Sequence, residues 1–155
     1  MRSIQAPNRF SEPCNEHKNP AEWKILDVKA GTRTVMDRTG TPNKWWLLCM
    51  MYVIYIMNHI ALASLRWQNP IFRAFGITKD ISPLLLFTWW EPVLYYDSDV
   101  PFSGSRELQG KFAGFADNVG DAFCFCIVTD DTEEVIYRLV LRSALDEANP
   151  NLRAS

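Results

Sequence analysis

A run of 21 residues without a formally charged side chain, Trp45 to Leu65, constrains the fold of this chain more than any other feature. As one helix it would span about 30 Å, the thickness of the hydrocarbon core of a bilayer. The polar residues Asn58 and His59 in its second half count against a membrane span. The pattern predicts that the run is buried in a protein core or in a membrane. A single-span membrane protein through residues 45–65 therefore stays open on the pattern alone.

The charge of the chain is unevenly distributed. The formal net charge is −2, which argues against a strongly basic nucleic-acid binder. Residues 1–48 nevertheless hold eight Lys/Arg and five Asp/Glu, whereas residues 112–155 hold three Lys/Arg and eight Asp/Glu. Contacts to phosphate groups are therefore expected from the first third of the chain.

The four cysteines, Cys14, Cys49, Cys124 and Cys126, are expected to be free thiols in a reducing compartment. The N-terminus is polar and contains proline, which is unlike a secretory signal, so we expect a protein that is not secreted. Cys124 and Cys126 point to one face of a predicted strand and are interpreted as small core residues. The alternative, a metal-binding pair, lacks further ligands at suitable spacing.

The first third of the chain predicts an irregular segment, residues 1–18, followed by an amphipathic helix. Asn19 and Pro20 are a cap and a first helical residue. A stripe of residues that face the core recurs at helical spacing: Ala21, Ile25, Val28, Thr32, Val35 and Met36. The helix is expected to end near Arg38, before a turn at residues 39–42. Gly31 within it costs about 1 kcal/mol relative to alanine.

Two further helices and then a set of strands are predicted. The helices cover residues 42–65 and 71–75, and Gly76 ends the second. The strands cover residues 85–90, 93–96, 111–116, 122–129 and 135–141. Pro92 should place its strand at an edge, a bend or a bulge. The fold class is therefore α+β, with a small antiparallel barrel or sheet in the second half.

Several segments of the chain are characteristic when read in order: SEPCNEHKNPAEWKI, VMDRTGTPNKWWLLCMMYVIYIMNHIA, NPIFRAFGITKDIS, FTWWEPVLYYD, GKFAGFADNVGDAF and TDDTEEVIYRLVLRSA. Together they resemble the integrase region of copia-type retrotransposon Pol polyproteins, and most closely the subgroup common in diatoms and related algae. The resemblance covers nearly the whole chain, from Ser11 to Ala154. It implies that residues 19–78 are the helical end of an RNase H-like integrase core, that residues 79–145 are a small β-barrel-like domain, and that residues 146–155 are a loose tail.

The resemblance also implies a site. The family's core binds Mg²⁺ or Mn²⁺ with two aspartates and a glutamate, and Glu22 takes the place of the glutamate within NPAEWK. Trp23 replaces a common arginine, which removes a cation beside the site. Lys24, Lys29 and Arg33 are the expected DNA contacts, and on a helical wheel Glu22, Lys29 and Arg33 share one side.

The two family aspartates would lie upstream, so we expect a fragment of an integrase that binds no metal and joins no DNA alone. Its expected partners are DNA, the upstream part of the integrase and further copies of itself. The resemblance implies action in the nucleus or cytoplasm without a membrane. The alternatives are the membrane span and a non-catalytic module that binds DNA or protein.

Overall fold

The computed structural model describes residues 19–119 and 122–153. This part of the chain has three α-helices and one five-stranded antiparallel sheet, which confirms the α+β class. The helices are α1 (Pro20–Thr39), α2 (Trp46–His59) and α3 (Pro70–Phe75). The strands are β1 (Pro92–Tyr96), β2 (Glu107–Val119), β3 (Ala122–Thr129), β4 (Val135–Arg138) and β5 (Leu141–Ser143). The predictions for residues 1–18, with Cys14, lie outside the described residues.

The ends of α1 are set by local chemistry, as predicted. The side-chain oxygen of Asn19 accepts a hydrogen bond from the Ala21 amide at 3.1 Å, and Pro20 is the first helical residue. Gly40 ends the helix in a left-handed conformation, with φ of 68°, and its amide bonds the Met36 carbonyl. Ala21 and Ile25, at the start of the predicted stripe, are exposed. Only the later residues of the stripe are buried or half-buried.

The second helix is shorter than predicted. It begins at Trp46, after a short 3₁₀ turn, and ends at His59 rather than at Leu65. His59 Nδ1 lies 2.7 Å from the Tyr55 carbonyl oxygen, and Ile60 is extended. Its 14 residues give a length of about 21 Å. Within residues 19–119 and 122–153, no helix has both the length and the apolar character needed to cross a membrane.

The strands lie in the order β4-β3-β2-β1-β5, so the two longest strands are central. Pro92 opens β1, which lies between β2 and β5 and not at an edge. The prediction of an edge was wrong, because a proline at the first residue of a strand need not remove a ladder hydrogen bond. The chain does bend at residues 88–91, directly before the proline.

Two clusters of buried residues share strands β2 and β3. One cluster lies on the face that Phe112 and Ile127 occupy, and its buried members are Phe87, Val93, Tyr95, Phe112, Phe125 and Ile127. The other contains Cys49 of α2 with Trp89, Ala113, Cys126 and Val128, and Val35 and Met36 of α1 pack against it. Burial on both faces explains why β3 reads as a continuous apolar run. The second cluster therefore joins the helices to the sheet.

The prediction of a strand over residues 85–90 was wrong. Ser82–Leu85 form a 3₁₀ turn, and Trp90 has a left-handed backbone with φ of 65°. The amide and hydroxyl of Thr88 donate to the Glu91 carboxylate, which closes a local turn. These local hydrogen bonds form in place of the strand-to-strand hydrogen bonds that the apolar sequence predicted.

The strand predicted over residues 135–141 is two strands. Val135–Arg138 pair with β3, whereas Leu141–Ser143 pair with β1 at the opposite end of the strand order. Only Leu139 and Val140 connect them. The continuous apolar sequence indicated one strand. Whether a segment pairs with β3 or with β1 depends on distant residues, so the local sequence does not show where one strand ends and the next begins.

Candidate functional site

Glu22 lies in the first turn of α1 and is exposed. Asn19 Nδ2 donates to Glu22 Oε1 at 3.2 Å, so the carboxylate and the cap residue are bonded to each other. All residues from 20 to 27 are exposed, although Trp23, Ile25 and Leu26 are large and apolar. The predicted glutamate is thus presented on a helical segment whose large apolar side chains are about half exposed.

The described residues do not fit a pair of divalent metal ions. A two-metal site needs several carboxylates that clamp ions about 3.5–4 Å apart. Among residues 19–119 and 122–153, no group of three or more Asp, Glu, His or Cys side chains is placed to hold a metal ion. Of the other acidic residues near Glu22 in sequence, Asp27 is described and belongs to no such group, whereas Glu12 and Glu16 lie outside this part of the chain. No reaction step through a metal follows from these residues.

Lys24, Lys29 and Arg33 are all exposed and line two adjoining parts of a groove between α1 and α2. We call it the α1–α2 groove. Its first part, of about 430 Å³, is lined by Lys24, Ile25, Val28, Lys29, Met50, Ile54, Met57 and Asn58. Its second part, of about 660 Å³, is lined by Lys29, Thr32, Arg33, Met36, Asp37, Asn43, Trp46 and Met50. The two parts share Lys29 and Met50, so the three predicted DNA contacts border one surface.

Glu22 lies outside both parts of this groove. It shares a side of the helix with Lys29 and Arg33, but helical rise separates it from them by about 10 and 16 Å along the axis. A second groove, of about 590 Å³, runs between the first turns of α1 and the residues after α2, and Lys24 and Asp27 line it together with Leu62. The structure therefore groups the three cations with each other and not with the carboxylate.

A polar cluster at the end of α2 was not predicted. The Tyr55 hydroxyl lies 2.9 and 3.0 Å from the two carboxylate oxygens of Asp117, and Lys79 Nζ lies 2.6 Å from one of them. Partial burial alone raises the pKa of Asp117, but the hydrogen bonds from Lys79 and Tyr55 outweigh it and hold this pKa below its ordinary value. Burial, and then Asp117, raise the pKa of Tyr55.

His59 stacks on Tyr55, with ring centroids 4.3 Å apart. Its Nδ1 must carry the proton in order to donate to the Tyr55 carbonyl, which leaves Nε2 as an acceptor in the neutral ring. Nε2 is buried and has no hydrogen-bond partner within the described residues. No local pattern could predict this cluster, because its members are separated by up to 62 residues along the chain.

The three described cysteines are buried and free. Burial raises the pKa of Cys49 and of Cys126 to about 11, so both thiols are protonated and unreactive at neutral pH. The interpretation of Cys124 and Cys126 as small core residues is confirmed by their burial.

The aromatic and basic residues of the sheet are largely committed to internal contacts. Trp89 is buried and donates from Nε1 to the Thr41 hydroxyl at 2.8 Å. The Arg142 guanidinium lies 2.7 Å from the Glu107 carboxylate, and that of Arg138 lies 5.7 Å from the centre of the Tyr95 ring. The two arginines lie on different strands, Arg138 on β4 and Arg142 on β5.

No protein-family model, no curated protein and no solved structure matches the chain.

Proposed function

We propose that this chain is the glutamate-bearing part of a copia-type retrotransposon integrase, and that by itself it binds DNA without joining it. One observation carries the proposal. The first two turns of α1 hold Glu22, which the resemblance matches to the family glutamate, and expose the large apolar side chains of Trp23, Ile25 and Leu26. Such a segment is expected where a helix packs against another part of a larger protein. In the family, the part of the core upstream of the glutamate packs against this helix and supplies the two aspartates.

DNA contact is assigned to Lys24, Lys29 and Arg33. They are the basic residues that border the α1–α2 groove, and none of the three described ion pairs involves them. Exposed cations of this kind bind phosphate groups through counterion release, without selecting a sequence. The assignment of α1 and α2 to the end of an RNase H-like core, and of the chain to the nucleus or cytoplasm, rests on the resemblance alone.

The sheet is proposed to curl into a small barrel-like module that positions the assembly. β4 and β1 are separated by two intervening strands, which is about 14 Å in a flat sheet. Arg138 of β4 nevertheless contacts the Tyr95 ring of β1 at 5.7 Å, and only two residues connect β4 to β5. Both features favour strong curling that brings the outer strands together.

The proposed function is tested with one labelled DNA duplex. We expect the affinity to fall with salt, and Lys29→Gln/Arg33→Gln to reduce the slope of log affinity against log salt by about 2. The matched variant Arg38→Gln/Arg73→Gln removes the same charge from exposed residues outside the groove and should leave the slope unchanged. Fluorescence anisotropy measures both.

The same mixtures, supplied with Mg²⁺ or Mn²⁺, report on joining. We expect no joined product on a denaturing gel, because Glu22 is a single carboxylate. Metal-dependent joining that disappears in Glu22→Gln would contradict the proposal, as would DNA binding that both double variants weaken equally.

A further inference from the structure

The α1–α2 groove has an apolar floor that a DNA backbone does not explain. The floor consists of side chains from both helices, namely Ile25, Val28, Met36, Met50, Ile54 and Met57. Ile25 is 54% exposed and Ile54 is 39% exposed. Phosphate contacts use the cations at the border and leave such a floor in water, and a contiguous exposed apolar surface of this kind is typical of a protein-binding site.

The length of the groove fits a helix of a few turns. Along α1 it extends from Lys24 to Met36, which is about 18 Å at helical rise. An occupying helix of about 12 residues would span this distance. Methionines at three positions of the floor give it flexible side chains that adapt to the apolar face of a helix.

The charges at the border select the partner. Lys24, Lys29 and Arg33 lie along the α1 side, and the one carboxylate that lines the groove, Asp37, is at its far end. Two copies of the chain that met groove against groove would bring like charges together, which disfavours that pairing. An occupant with carboxylates along its flanks is attracted by the same cations.

We propose that the α1–α2 groove binds an amphipathic helix of a partner protein, with an apolar face on the groove floor and acidic side chains beside the three cations. This mode of binding, in which the apolar face of a helix lies in a groove, is well known in peptide recognition. The inference goes beyond the integrase assignment, because it follows from the floor, whereas the DNA contact follows from the cations.

The probe is a labelled 14-residue peptide designed as a helix, with leucines on one face and glutamates on both flanks. We expect it to bind the whole chain, and Ile25→Gln/Ile54→Gln to weaken binding by about tenfold or more, since each of these residues loses apolar burial. The matched variant Leu47→Gln/Met51→Gln changes two α2 residues of similar exposure that do not line the groove, and should bind within about twofold of the original chain.

Two control peptides test the recognition chemistry. One has the same composition with its leucines spread around the helix, and the other has lysines in place of the glutamates. Binding that is equal for all three peptides, or that is insensitive to Ile25→Gln/Ile54→Gln, overturns the proposal. Concentration-dependent self-association that is lost in the same double variant would show a second copy in the groove and would also overturn it.

The DNA experiment separates this inference from the proposed function. Ile25→Gln/Ile54→Gln retains every cation, so we expect its affinity for the duplex to be unchanged. Weakened DNA binding in this variant, with an unchanged melting temperature, would mean that the floor is part of the DNA site and would count against a helical partner. Failure of the peptide to bind leaves the DNA assignment standing, because the three cations can contact a duplex whether or not the apolar floor binds a helix.

Discussion

Gly31 stands in the middle of α1, where a glycine costs about 1 kcal/mol relative to alanine. A Cβ atom at this position would lie 3.2 Å from Val53 Cγ1 of α2, which is tighter than ordinary contact. The glycine therefore permits a close approach of the two helices, and the helical propensity that it lacks is offset by packing. The loss of helical propensity at Gly31 can be predicted from the sequence. The reason for a glycine at this position is its contact with α2, which only the structure shows.

We expect Gly31→Ala to change the free energy of unfolding by less than the roughly 1 kcal/mol that propensity alone would add, because Val53 must shift. Gly31→Leu should destabilise the chain by about 1–3 kcal/mol through overpacking. Urea denaturation followed by circular dichroism measures both. Ala30→Leu, at an exposed position beside it, is the matched control and should be nearly neutral. A full gain from Gly31→Ala would show that the helices do not approach closely here.

At the scale of the elements, Tyr55, Asp117 and Lys79 connect α2, β2 and the segment between α3 and β1. The folded state holds the pKa of Asp117 below its ordinary value, so Asp117 contributes stability above the pKa of the unfolded chain. That contribution is lost as the pH falls through the lower, folded value. Stability should therefore decrease on acidification below about pH 4.

Tyr55→Phe removes one donor to this carboxylate and leaves the ring that stacks on His59. We expect it to lower the free energy of unfolding at pH 7 by about 1–2 kcal/mol, toward the low end for a hydrogen bond to a charged group because Asp117 is partly exposed. The decrease below pH 4 should become shallower. Urea titrations at pH 7 and pH 3 measure it, and Tyr96→Phe, on an exposed tyrosine remote from Asp117 in sequence, is the control. An unchanged pH profile would show that the bond contributes nothing.

Elements with local signals were predictable and elements that depend on distant partners were not. Asn19, Pro20 and Gly40 act within one helical turn, so both ends of α1 were correct. The end of α2 and the division of residues 135–141 into two strands depend on tertiary contacts. For the candidate site, periodicity placed Lys29 and Arg33 on one side of α1. The apolar floor beside them could not be predicted, since half of it comes from α2.

At the scale of the whole molecule, the core that joins the helices to the sheet decides how the chain unfolds. Cys49 of α2 and Cys126 of β3 belong to one buried cluster, with Trp89 inside it and Trp45 and Trp90 against it. Tyr52 of α2 contacts the other cluster as well. Apolar contacts of this kind make the stability of each part depend on the other, even though the sequence separates a helical half from a strand-rich half.

We therefore expect one cooperative unfolding transition for the helices and the sheet together. The test uses Trp23→Phe/Trp46→Phe/Trp67→Phe, which removes three exposed tryptophans and leaves Trp45, Trp89 and Trp90 in or against the shared core. In one urea titration, their fluorescence and the helical circular dichroism should change with the same midpoint, the criterion for two-state unfolding. The original chain, measured by circular dichroism alone, controls for any effect of the substitutions. Two separated midpoints would mean that the helical half unfolds independently, as two separate domains would, and that the contacts through Cys49 and Cys126 are too weak to couple them.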